Sequence, residues 1–353
     1  MLIDLDSSCS RLNFSSYSSY SAGNRPWIMS VADLNNDNKN DIVVVNRDSG
    51  SVGIYFGNGN GTFQPSKIIL SGFNPMFVVT EDVNNDNQQD LLIVDGTTDT
   101  INVYLGFGNG SFRSKTTYSV GDYPYWIDID DFNGDHQLDI VVPNDNANTV
   151  SILLGYGNGT FKQQMTLSTG SGVTAVATGD FNNDNNVDFV ATDYYDSTVS
   201  IFFGYGNGTF QARQIISVGE GPWGVAAADL NHDNYTDIIT ANYDENSLSI
   251  LLGSKNKTFQ KRTINGTGES PISVAIGDLN RDTHPDIVVA HNYNLYVSVF
   301  LGRGDGYFNS VLQFTTDWWL TTVAISDFNH DGRLDIAALS QYNSALNVLL
   351  NVC

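Results

Sequence analysis

Seven stretches of this sequence carry oxygen-bearing side chains at a spacing that suits a metal ion. The pattern is Asp-x-Asn-x-Asp-x-x-x-Asp, starting at Asp33, Asp82, Asp131, Asp180, Asp229, Asp278 and Asp327. A tight loop of this kind offers side-chain oxygens at positions one, three, five and nine, and a backbone carbonyl at seven. In the first loop these are Asp33, Asn35, Asp37, the Lys39 carbonyl and Asp41. The second offers Asp82, Asn84, Asp86, Gln88 and Asp90, and the third Asp131, Asn133, Asp135, Gln137 and Asp139. Next come Asp180, Asn182, Asp184, Asn186 and Asp188, then Asp229, Asn231, Asp233, Tyr235 and Asp237. The last two sets are Asp278, Asn280, Asp282, His284 and Asp286, and Asp327, Asn329, Asp331, Arg333 and Asp335.

Ca2+ is a hard cation that takes six to eight oxygens at about 2.3–2.6 Å. The loops are therefore expected to hold up to seven Ca2+ ions, one each. Mg2+ keeps more of its own water and needs fewer protein ligands. Zn2+ prefers His and Cys, and the five His are dispersed. The alternative is a set of ordinary Asx turns without metal. Charge weighs against it, because three carboxylates within nine residues repel one another unless a cation neutralises them. The seven loops hold 21 of the 39 acidic residues, so most of the acidity has this one explanation. Position six needs a residue that tolerates positive φ, and Asn, Gly, His or Thr stands there. The loop at Asp278 is the weakest, with Arg281 and Pro285 inside it.

The loops recur every 49 residues without exception, which makes the chain a repeat array. Within the third unit, Trp126 to Asp131 leads into the acidic loop. Ile140, Val141 and Val142 form an apolar run, as in a strand buried on both faces. Val150 to Leu154 follows, then an Asn-Gly hairpin signal before Phe161, then a fourth segment around Met165 to Leu167. Four short strands per unit predict an all-β fold, a seven-bladed β-propeller of four-stranded blades. Counting one unit back from Phe63 gives Phe14, so the chain opens with a fourth strand and ends on a third. The N-terminal strand is expected to complete the last blade and cover its open edge. Residues 1–11 read as an N-terminal segment and 12–353 as a single propeller.

Seven units on from Cys9 is position 352, beside Cys353, so these two are expected to form a disulfide across the seam, the alternative being two unrelated free thiols near the chain ends. Such a bond implies an oxidising compartment.

The units resemble FG-GAP repeats, also grouped as VCBS repeats, which build the propeller of integrin α-subunits. The resemblance covers essentially the whole chain. It implies a calcium loop between the first two strands of each blade. Integrins carry the loop in some blades only, whereas here every unit has it. The resemblance also implies an aromatic cage that receives a basic side chain of a partner subunit. Its register holds Trp27, Met76, Tyr125, Thr174, Trp223, Ile272 and Thr321, at the channel mouth away from the calcium loops. Of these, Trp27, Met76, Tyr125, Trp223 and Ile272 are candidate ligand residues for a cation or a sugar. The other reading is that the rings plug the channel.

The net charge of −23 argues against nucleic acid and anionic membranes as partners. No apolar run is long enough to span a bilayer, so direct membrane insertion is not expected. Met1 to Asp6 lacks a basic region and does not read as a signal peptide. The expectation is a secreted or surface-exposed, monomeric module for a protein or glycan ligand. Five sequons, at Asn60, Asn109, Asn158, Asn207 and Asn256, share one register on the hairpin tips. Arg303-Gly304-Asp305 spells an adhesion tripeptide, but the turn itself already requires its glycine. Alternatives are a lectin or, more remotely, a polysaccharide-cleaving enzyme. No acid pair or Ser-His-Asp set departs from the repeat in this reading, so no catalytic residue is assigned.

Overall fold

The computed structural model describes residues 12–353. Seven antiparallel four-stranded sheets form the blades, with strands in sequence order from the centre outward. Blade one runs from β2 (Pro26–Ala32) through β3 (Asp41–Asn46) and β4 (Ser51–Tyr55) to β5 (Lys67–Ser71). β1 (Ser18–Ser21) pairs with β28 (Ala345–Leu349) and is the outermost strand of blade seven. The ring thus closes as the repeat register predicts. Phe14 bridges Asn351 just as Phe63 bridges Gly57. No helix among the described residues is long and apolar enough to cross a membrane. The Cys9–Cys353 pairing lies outside the described residues, because Cys9 does.

Burial explains the strand pattern. The second strand of each blade sits between two neighbouring blades, and in β3 every residue is buried. Outer strands have one wet face, and β17 (Gln214–Ser217) alternates accordingly. Apolar side chains of facing blades make the interblade core. At the seam, Ile42, Val44 and Tyr55 join Leu339, Leu346 and Val348 in one cluster.

Each innermost strand carries an irregularity at its start. Pro26 pairs with Asn46 but Ile28 pairs with Val45, so Trp27 is an extra, bulged residue. Met76, Trp223, Ile272 and Thr321 are bulged in the same way. A bulge redirects one side chain, and in this register the redirected side chains are mostly buried. In blade three the inner strand is reduced to β10 (Asp128–Asp130), with Pro124 bridging Asn144 before it.

Candidate functional site

The acidic loops join the first and second strands of each blade, so all seven lie on one face. Their backbone curls around the first aspartate. Asp33 Oδ2 accepts the Asn38 amide at 2.7 Å, and Asp33 Oδ1 accepts that of Asp37 at 3.2 Å. Asn35 Oδ1 accepts the same Asp37 amide at 3.0 Å. Two ligand-type oxygens are thereby gathered at one amide. The same double acceptance occurs at Asp233, Asp282 and Asp331. In the second loop Asn84 Oδ1 is buried without a hydrogen-bond partner, an orphan that a cation would satisfy.

Position six has positive φ in every loop, from Asn38 at 59° to Gly332 at 78°. Position four is left-handed too, at Asn36, Asn85, Gly134, Asn183, His232, Arg281 and His330, which the sequence reading did not anticipate. Some of these side chains reach the next blade. Asn85 Nδ2 donates to Gln137 Oε1 at 2.6 Å, and His232 Nε2 lies 3.0 Å from His284 Nδ1.

The ninth-position aspartate is the deepest member of each loop. Asp41 is fully buried, and its two oxygens accept the Leu34 and Gly57 amides at 3.1 and 2.8 Å. Burial pushes its pKa up to about 6, against those two bonds and helped by Asp37 and Asp33. Asp188 and Asp237 are pushed up to about 7 for the same reason. The oxygen-only donor set suits Ca2+. Among the described residues, however, no group of three or more Asp, Glu, His or Cys side chains closes around one point. Lys39 Nζ holds Asp37 at 3.2 Å, and Arg333 holds Asp331 at 2.7 Å.

The opposite face carries the bulged register. Trp27, Met76, Tyr125 and Ile272 are buried there, with Met76 completely so, and Trp223 is half-buried. Tyr125 packs edge-on against Trp27 at 6.4 Å and Trp223 at 5.4 Å. The guanidinium of Arg47 lies 5.5 Å from the Trp27 ring centre and donates to the Tyr123 hydroxyl at 2.8 Å. The rings therefore pack on one another, and a cation of the same chain, Arg47, already lies over one of them. The hydroxyls of Thr174 and Thr321 donate to the Trp223 and Pro26 carbonyls at 2.9 and 3.3 Å, tying adjacent inner strands.

Two features escaped the sequence reading. Asp128 lines the central channel, where its register elsewhere holds Ser30, Val79, Ala177, Ala226, Ala275 and Ala324. Its carboxylate accepts the Thr178 amide and hydroxyl, and desolvation in the channel raises its pKa. Glu81 and Asp130 depart from the repeat two residues further along. Acids outside the loops thus do converge on one region, contrary to the reading that none departs from the repeat. The second feature is a pocket of about 780 Å³ between blades six and seven, lined by Tyr293, Leu295, Asp317, Trp318, Tyr342 and Asn343 among others.

FG-GAP-like repeats match at residues 33–93, 82–142, 131–191, 180–240, 230–289 and 279–338. The chain belongs to the FG-GAP-like repeat family. No curated protein matches it. Among solved structures, this FG-GAP propeller is similar to BBS1N, determined in complex with ARL6DN and soaked with lead. The identity is 14%, coverage is 96% of each chain, and the TM-score is 0.68. It is also similar to an Agrocybe aegerita lectin that recognises non-reducing terminal N-acetylglucosamine, at 17% identity over 87% of this chain and 91% of that one, TM-score 0.61. A virginiamycin B lyase from Staphylococcus aureus matches at 11% identity over 96% of this chain and 99% of that one, TM-score 0.64. At these identities the likeness is one of fold, and the three proteins differ in what they do.

Proposed function

We propose that this FG-GAP propeller is an extracellular binding module, stiffened by Ca2+ in its seven loops and presenting its ligand face on the opposite side. The observation that carries this reading is the paired acceptance of one loop amide by Asp33 and Asn35, which sets two oxygens where one ion can take both. The buried Asn84 oxygen points the same way. Hairpin tips bond to the loops of the preceding blade, as Gly110 does to the Leu34 carbonyl at 2.9 Å. An ion in a loop would thus stiffen a joint between blades, well away from the ligand.

Binding is preferred over catalysis because the acids are mostly held in the loops, while exposed aromatics on the opposite face offer contact surface for a ligand. Tyr195, Tyr293 and Tyr342 stand out on its turns. The lectin and the BBS1N complex are fold relatives consistent with a binding role. Equilibrium dialysis with radioactive calcium is the test. The reading expects about one ion per loop at millimolar free calcium. A chain that retains no calcium under these conditions would overturn it.

A further inference from the structure

We propose that the pocket between blades six and seven is a binding site for a neutral saccharide. This rests on the binding-module reading and names the ligand class for its face. The pocket lies where the repeat is broken in two facing registers at once. Asp317 stands where the other blades have Gly23, Gly72, Gly121, Gly170, Gly219 and Gly268. In those blades the glycine usually lies against a large polar side chain. A Cβ on Gly121 would sit 2.6 Å from the Asn144 side chain, and one on Gly170 would sit 2.5 Å from that of Asp193. In blade seven the residue opposite is Ser340, in a register that otherwise reads Asn46, Asp95, Asn144, Asp193, Asn242 and His291. Small has become large on one side and large has become small on the other. The exchange puts a carboxylate on the segment that carries glycine in every other blade.

That carboxylate is held in place before any ligand arrives. Asp317 Oδ1 accepts from Asn343 Nδ2 at 2.6 Å and from the Tyr17 hydroxyl at 3.2 Å. Its Oδ2 accepts from Asn347 Nδ2 at 2.8 Å, and its amide donates to Asn347 Oδ1 at 2.7 Å. A carboxylate has about four acceptor positions, so one remains for a ligand hydroxyl, and such charge-assisted bonds are strong. Around it stand Trp318, 37% exposed, Tyr293, 44%, and Tyr342, 62%. Trp318 packs against Tyr342 at 5.1 Å and against Trp319 at 6.1 Å, which fixes the rings while leaving them open to solvent.

Flat aromatic surface beside a fixed acceptor matches a pyranose, whose ring presents C–H bonds on its faces and hydroxyls at its edge. The volume of about 780 Å³ is within the range of small-ligand sites and takes a short oligosaccharide. Among the described residues the lining holds no Lys, Arg or His, and the chain carries −23 overall, which disfavours an acidic sugar there.

The test is a printed array of neutral and acidic glycans, followed by calorimetric titration of the best neutral hit. Tyr342→Ala removes a largely exposed ring and should leave the melting temperature nearly unchanged, while Trp318→Ala, which removes a more buried ring, is counted only if its melting curve shows it folded. Asp317→Asn keeps the shape and removes the charge. The expected result is binding of neutral glycans that weakens at least about tenfold in all three variants. Binding to acidic glycans only, binding that all three variants retain, or no glycan bound at millimolar concentration would each overturn the proposal. The last outcome, with calcium still bound, leaves the binding-module reading standing on another ligand class.

Discussion

Asp41 Oδ1 accepts the Gly57 amide at 2.8 Å, joining the acidic loop of blade one to the hairpin between its third and fourth strands. The bond recurs from Asp90 to Gly106, from Asp188 to Gly204 and from Asp335 to Asn351. The other oxygen of each carboxylate holds the amide of position two. Removing the side chain leaves both amides buried and unpaired, at about 1–3 kcal/mol each. Asp41→Ala should therefore cost about 2–6 kcal/mol in urea unfolding at saturating calcium. A loss below about 1 kcal/mol would show that the carboxylate is not a structural hub.

The channel-mouth rings make a separate prediction. Trp27 is buried and packs on Tyr125, while Trp223 is more exposed. Trp27→Ala should cost about 3–5 kcal/mol, in the range of large-to-small core changes, and Trp223→Ala distinctly less. Equal and negligible costs in thermal melts would mean that the rings are not packed as a plug.

The period made the blade count, the closing strand and the loops legible, because a fixed register carries that information in any single unit. The bulge at Trp27 was not legible. One extra residue breaks the alternation of a strand for a single position, and no residue type marks it. The positive φ at position four escaped notice because His232 and Arg281 stand there as well as Asn. Asp317 and Ser340 were visible as departures, but their meaning depends on the two registers facing each other across the turn. Asp128 was hidden in the same way, since only the ring geometry shows that its register lines the channel.

His291 gives a pH-dependent contribution. It is fully buried, and burial lowers its pKa to about 3. Its Nε2 is 2.9 Å from the Ser298 hydroxyl, and its Nδ1 has no partner. The unfolded chain takes up this proton near pH 6.5. Between there and about pH 3 the unfolded state binds more protons, so stability falls as pH falls. From pH 7 to pH 5 this residue should cost about 2 kcal/mol. His291→Asn, matching Asn46, Asn144 and Asn242 in the same register, should remove that part of the slope. Identical pH slopes for the two proteins in urea titrations would contradict the assignment.

The sequon row is geometrically open. Asn60, Asn109, Asn158 and Asn207 are exposed, and each Oδ1 accepts the hydroxyl two residues on, at 2.7, 2.5, 2.6 and 2.6 Å. The amide nitrogen of each is left facing solvent at the hairpin tip. In protein made through a secretory pathway, peptide mapping after enzymatic deglycosylation should find these sites modified and the further sequon Asn234-Tyr235-Thr236, inside an acidic loop, bare. Full occupancy of Asn234 with the row unmodified would contradict this.

The most direct measurement is thermal unfolding with calcium and with chelator. With site affinities near ~0.1–1 mM and calcium at ~1–2 mM, each filled loop adds about 0.4–2 kcal/mol, and seven together roughly 3–12 kcal/mol. The account predicts a melting temperature that rises by many degrees on adding calcium and is restored to the chelated value by removing it. An unchanged midpoint across that range would contradict the claim that these loops are calcium sites.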